Sequence, residues 1–152
     1  MIGIGWFVLG QVFALLLRGR LGKQDQNAKA EQLARQEMVS LGHARELFDE
    51  GHYDLSAIET WRAVDARLRR ALLSRGVNVR QTTPEASIHA AKRAALIGPS
   101  TLALLEQMKR QWQIAVSTEP LTRESAESAL NAGRNILSTI PLEDAAALAK
   151  AA

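Results

Sequence analysis

The feature that most constrains this chain is its beginning. Residues 1–17 contain no charged side chain, and the basic residues Arg18, Arg20 and Lys23 follow at once. At about 1.5 Å per residue, a helix of this length covers roughly 26 Å, slightly less than the roughly 30 Å hydrocarbon core of a bilayer. Long basic side chains at the helix end can extend to the headgroups and make up the difference. The sequence therefore predicts a transmembrane anchor with a basic flank over residues 1–23.

Two other interpretations of this segment stay open, a cleaved signal peptide and an interfacial or buried helix. A signal peptide carries its positive charge before the apolar run, whereas here the charge follows it. A buried helix does not explain why the whole run lacks charge. Because basic flanks favour the cytoplasmic side, the predicted topology is a single pass through an inner or plasma membrane. The N-terminus is then outside and the rest of the chain is cytoplasmic.

Three residues of the apolar run are candidates for contact with another membrane helix. Gly3 and Gly10 would let two backbones approach closely, and the amide of Gln11 would seek a hydrogen-bonding partner inside lipid. The predicted partners are therefore the lipid bilayer and other subunits of a membrane complex.

Beyond residue 23 the sequence is typical of an all-α protein. Apolar residues recur at helical spacing between turns rich in Gly and Pro, and the composition favours Ala and Leu over β-branched and aromatic residues. Helix starts are indicated at Asp54, Thr83 and Thr122, and the absence of cysteine excludes disulfides. We expect an up-and-down bundle of about five helices behind the anchor, organised as an anchor and basic flank (1–23), a helical linker (24–40), the bundle (41–141) and a C-terminal tail (142–152).

The sequence contains no recognisable catalytic, cofactor-binding or metal-binding motif. His43, His52 and His89 are scattered, and none lies beside a carboxylate at a spacing that would form a metal site on one helix face. We interpret them as surface or turn residues. No enzyme activity, cofactor or metal is expected.

The strongest charge cluster lies on the second helix of the bundle. Its arginines do not form one continuous line and have no interleaved aromatic residues, so nucleic acid is not the expected partner. Asp65 projects close to the apolar face, where it is predicted to pair with Arg62 or Arg69. The candidate partner surface, for an acidic protein or anionic headgroups, consists of Arg62, Arg67, Arg69, Arg70 and Trp112.

The region from Ala44 to Leu72 resembles the opening helical hairpin of the HEPN superfamily of small bundles. It combines a helix that ends at Gly51-His52-Tyr53 with a second helix whose C-terminal half is basic. Residues 110–122 and the helix that ends at residues 136–137 resemble the last two helices of that family. The resemblance covers roughly residues 40–140.

The catalytic histidine of HEPN ribonucleases is missing from both positions where the resemblance would place it. Four to six residues after Gln111, which follows Arg110, the chain has Ala115, Val116 and Ser117, and four to six residues after Asn135, which follows Arg134, it has residues 139–141, Thr-Ile-Pro. Without an imidazole, cleavage of RNA by the family mechanism is not expected. The resemblance then implies a non-catalytic member used for docking or dimerisation, and a homodimer stays an open alternative.

The same hairpin carries a second pattern, at Ala44, Gly51, Tyr53, Ala57, Ile58 and Trp61. These residues fall near the signature positions of a tetratricopeptide repeat, so the hairpin also resembles one tetratricopeptide unit. A solenoid needs about three stacked repeats, however, and the sequence contains no second copy.

Both resemblances imply a binding surface. We therefore expect a membrane-anchored, non-catalytic interaction or accessory subunit of a larger membrane complex. The alternative is a membrane-tethered HEPN-type nuclease or nucleotide-binding module.

Overall fold

The structure, a computed structural model, describes residues 3–81, 83–140 and 142, with the side chains of α1 described at residues 14–20 and from residue 22 onward. The regular structure of these residues is entirely α-helical, which confirms the predicted all-α class. The helices are α1 (Gly3–Asp49), α2 (Tyr53–Ser74), α3 (Pro84–Arg93), α4 (Pro99–Ala115) and α5 (Arg123–Thr139).

Helix α1 joins segments that the sequence predicted as separate elements. The anchor, the linker and the first bundle helix form one continuous helix from Gly3 to Asp49. Residues 24–40 are rich in Ala, Gln, Glu and Lys and contain no Pro, so nothing in them ends a helix. The chain nevertheless divides into two compact units, Met1–Gln32 and Leu33–Ala152.

The transmembrane anchor predicted over residues 1–23 gains no support from the structure. Among the described residues, no helix combines the length and the apolar character needed to cross a membrane. The predicted tail, residues 142–152, lies outside the described residues except for Leu142.

Helix α2 is at the centre of the second unit, where it packs against α3, α4 and α5. The apolar residues that recur at helical spacing along α2 and α5 face the core. Trp61, Val64 and Leu68 of α2 are buried together with Met108 of α4 and Leu137 of α5. Burying such apolar side chains provides the main favourable contribution to folding.

The start of α2 differs from the prediction. Asp54 was predicted to cap the helix, but α2 begins at Tyr53, and His52 occupies the N-cap position without a side-chain cap. The Tyr53 ring packs edge-on against Phe48 at 5.5 Å between centroids. Asp54 therefore lies in the first turn, where the helix dipole favours a carboxylate, and its Oδ1 accepts a hydrogen bond from the Leu121 backbone N–H at 2.8 Å.

Helices α4 and α5 begin and end near the predicted positions. The Thr122 hydroxyl caps α5 by accepting a hydrogen bond from the Ser125 backbone N–H at 3.2 Å, as predicted. Val116 continues the helical spacing of the apolar residues of α4, which predicts a core position, but it is 53% exposed. It is the C-cap residue of α4, and the four residues that follow it, 117–120, are exposed as well.

Helices α2 and α5 approach each other closely at Gly133. A methyl group added to Gly133 would lie 2.6 Å from Cγ2 of Thr60 and 3.7 Å from Cγ2 of Val64. Thr60 cannot easily move aside, because its hydroxyl donates a hydrogen bond to the Ser56 carbonyl at 2.8 Å. The close approach of α2 and α5 at this point therefore requires glycine at position 133.

Candidate functional site

The arginines of the predicted partner surface lie in two different environments. Arg62 has a 59% exposed side chain and forms an ion pair with Glu59 at 2.7 Å. The side chains of Arg67 and Arg69 are only 18% and 16% exposed, and both make contacts inside the bundle. Arg70 is half-buried. Of the four arginines, Arg62 is thus the one with a mostly exposed side chain.

Arg69 binds the loop that connects α2 to α3. Its Nε donates to Asp65 Oδ2 at 2.7 Å, and its two terminal nitrogens donate to the carbonyls of Val79, at 2.8 Å, and Gln81. The predicted pairing of Asp65 is therefore resolved in favour of Arg69. Asp65 Oδ1 also accepts a hydrogen bond from the hydroxyl of Ser87 in α3. One arginine and one carboxylate together hold the loop and α3 against α2.

Burial raises the pKa of the Asp65 carboxyl above its ordinary value of 3.8, although the hydrogen bond from Ser87 and the charge of Arg69 act in the opposite direction. Between pH 3.8 and the raised pKa, the folded state binds more protons at Asp65 than the unfolded state. The contribution of Asp65 to stability is therefore fully present below pH 3.8 and is lost as the pH rises through the folded-state pKa.

The direction of this pH dependence of stability gives a testable prediction. Asn has the shape of Asp but does not titrate, so we expect wild type to gain stability relative to Asp65→Asn as the pH falls from about 7 to about 4. The slope is at most about 1.4 kcal/mol per pH unit. Urea unfolding of both proteins at several pH values measures this difference in the free energy of unfolding. Asp49→Asn, at an exposed position, controls for the change in net charge. A difference that instead grows as the pH rises would contradict the assignment.

Arg67 connects three helices. Its Nη1 lies 3.5 Å from Oε1 of Glu37 in α1, and its Nη2 donates to the Leu137 carbonyl near the end of α5 at 2.8 Å. Glu37 Oε2 and Arg67 Nε are buried and have no hydrogen-bond partner among the described residues. Sequence reasoning did not identify Glu37, because its partner lies thirty positions further along the chain.

Trp112 and the histidines occupy peripheral positions. Trp112 is half-buried and packs against the main core cluster, so part of its ring is accessible. His43, His52 and His89 are exposed, in agreement with the prediction. Within the described part of the chain, no group of three or more His, Cys, Asp or Glu side chains is placed to hold a metal ion.

Arg110 and Arg134, the two arginines singled out by the HEPN resemblance, lie on different helices. Arg110 and Arg134 are both exposed, on α4 and α5. A groove of about 480 Å³ runs between these two helices, with Gln107, Glu124 and Asn135 among the residues that line it. Its described lining contains no histidine. The groove therefore offers carboxylates and amides but no imidazole for general acid-base chemistry.

The described part of the N-terminal segment exposes its apolar side chains. Leu15, Leu16 and Leu17 are 66%, 63% and 45% exposed. Gly3, Gly10 and Gln11, the candidates for membrane helix contact, lie in α1, in the part for which the structure describes the helix but not the surroundings of its residues. The basic flank follows the leucines directly and is exposed at Arg18, Arg20 and Lys23.

The fold and these surfaces define the class of protein, an all-α helical bundle that continues from a long N-terminal helix. No protein-family model, curated protein or solved structure matches the chain. The resemblances to the HEPN superfamily and to a tetratricopeptide unit therefore stay predictions.

Proposed function

We propose that this protein is a non-catalytic interaction subunit, attached to a membrane by its N-terminal segment, whose helical bundle docks onto other subunits of a membrane complex. The observation that carries the proposal is the exposure of Leu15, Leu16 and Leu17 in succession. At about 100° per residue, three consecutive side chains spread over more than half of the helix circumference. A helix that is apolar on most sides is typical of a segment surrounded by lipid or protein.

The arrangement of charge supports insertion along the helix axis. In a helix that lies flat on a membrane, apolar and basic residues occupy opposite faces. Here they are separated along the axis, with the uncharged residues before position 18 and the basic residues after it. The apolar run also includes Met1 and Ile2, which lie outside the described residues. This separation favours the transmembrane topology over the interfacial one.

The bundle supports docking through side chains that remain accessible. Arg62 of α2 has a 59% exposed side chain, and Met38 and Val39 of α1 are 76% and 66% exposed. Protein interfaces use both accessible apolar side chains and charged ones, with arginine enriched among the latter. With no histidine available at Arg110 or Arg134, we assign the bundle no catalytic role.

Membrane attachment can be tested in cells with the full-length chain. We expect wild type to stay in the membrane fraction after washing with alkaline carbonate, which removes peripheral proteins but leaves spanning ones. Replacing Leu15, Leu16 and Leu17 together by Gln should release the protein, because three amides in the apolar run make insertion unfavourable. Gln preserves helix propensity, so the helix itself should persist. Immunoblotting of the pellet and the supernatant measures the distribution.

The matched control replaces three other exposed apolar residues, Met38, Val39 and Val116, by Gln. This variant should stay in the membrane fraction. Release of wild type by carbonate would contradict the proposed transmembrane anchor. Equal release of both triple variants would show that general loss of apolar surface, rather than the N-terminal segment, determines the distribution.

A further inference from the structure

The net charge of the chain is concentrated beside the apolar segment. The whole sequence has 19 basic and 16 acidic side chains, a formal charge of +3. The first acidic residue is Asp25, and before it the only charged side chains are Arg18, Arg20 and Lys23. Without these three, the chain carries 16 basic and 16 acidic side chains. The rest of the protein is therefore formally neutral.

The three cations are exposed, and none forms an ion pair or hydrogen bond with another described residue. At about 100° per residue, Arg18 and Arg20 point to nearly opposite sides of α1, and Lys23 lies about 60° from Arg20. They therefore surround the helix instead of forming one basic face. This arrangement places a cation near anionic groups that approach the helix from different sides.

We propose that Arg18, Arg20 and Lys23 bind the anionic headgroups of phospholipids, so that the protein selects membranes with negative surface charge. This inference rests on the proposed membrane attachment and adds the chemistry of the lipid. Each Lys or Arg near an anionic surface contributes about 1 kcal/mol, which is about a fivefold change in affinity. Three cations then favour an anionic over a neutral membrane by about 100-fold. The formally neutral remainder of the chain adds no net attraction to such a surface.

The test measures flotation of the purified full-length protein with two kinds of vesicle, phosphatidylcholine alone and equal parts of phosphatidylcholine and phosphatidylserine. Wild type should bind the anionic vesicles about 100-fold more tightly. The preference should disappear in about 1 M salt, where the screening length falls to about 3 Å. Arg18→Gln/Arg20→Gln/Lys23→Gln should bind both vesicles with the affinity that wild type has for the neutral ones.

The matched control removes the same charge elsewhere, in Arg45→Gln/Arg110→Gln/Arg134→Gln, at three exposed positions of the bundle. It should keep the preference of wild type. Equal binding of wild type to both vesicles, or an equal loss in the two triple variants, would overturn the inference and leave membrane attachment standing. Failure of wild type to float with either vesicle would overturn membrane attachment itself.

Discussion

Replacing Arg67 by Met is expected to lower the free energy of unfolding by about 3 kcal/mol. The guanidinium pairs with Glu37 and donates to the Leu137 carbonyl, and both charged side chains are less than one-fifth exposed. Met fills much of the same volume but leaves the Glu37 carboxylate buried without its cation. Removing one partner of a buried ion pair costs more than the pair itself contributes, because the remaining charge is not solvated. Urea denaturation measures the change.

A second substitution separates charge from packing. In Glu37→Met/Arg67→Met both charges are absent, and we expect most of the lost stability to return, because apolar replacement of a buried pair is often neutral. Arg62→Met is the matched control. It breaks the pair with Glu59, in which the Arg62 side chain is 59% exposed and the Glu59 side chain 15%; because water reaches the cation, we expect an effect of at most about 1 kcal/mol. If Arg67→Met and Arg62→Met proved equally mild, Arg67 would not be a buried structural cation.

The second large effect is expected at the contact between α2 and α5. Gly→Ala inside a helix ordinarily stabilises a protein by up to about 1 kcal/mol. At Gly133 the new methyl group would lie 2.6 Å from Cγ2 of Thr60, so we expect Gly133→Ala to destabilise by about 1–3 kcal/mol. Gly42 in α1 has no atom within 4 Å of the corresponding position, and Gly42→Ala should stabilise. Thermal unfolding of the two variants should therefore shift in opposite directions.

The substitution Thr60→Ser tests whether the contact with the Thr60 methyl group causes the loss of stability expected in Gly133→Ala. Ser lacks the methyl group that would collide with the one added at position 133, but it keeps the hydroxyl that donates to Ser56. Thr60→Ser/Gly133→Ala should therefore recover stability relative to Gly133→Ala alone. An unchanged or additive loss in the double variant would show that the cost at position 133 does not come from this contact.

The sequence predicted the helices of the bundle because their signals are local. In α5 a capping hydroxyl at Thr122 precedes a regular apolar face, and Pro141 follows the end of the helix. Both signals act within a few residues of the boundary they define. The continuity of α1 was missed for a related reason. A change from apolar to polar residues was interpreted as an element boundary, although polarity does not end a helix and residues 24–40 have high helix propensity.

The contacts of the candidate site depend on residues distant in sequence. Helical spacing predicted the pair of Asp65 and Arg69, but the other partners of Arg67 and Arg69 are backbone carbonyls and one carboxylate of other elements. The Leu137 carbonyl lies 70 residues from Arg67, and Leu121 lies 67 residues from Asp54. No periodic pattern contains this information. Sequence reasoning therefore identified the charged residues but not which of them are used inside the fold.

The central position of α2 has a consequence for biosynthesis. The helices α3, α4 and α5 that cover it all follow it in the chain, and its bonds to the loop before α5 and to the end of α5 span 67 and 70 residues. While a ribosome is still making those helices, the apolar face that includes Val64 and Leu68 lacks most of the residues that it packs against, although Leu41 of α1 has already been made. Native packing of α2 is thus completed only after α5 has emerged. Until then, this face is the surface of the nascent chain that a chaperone would have to shield from aggregation.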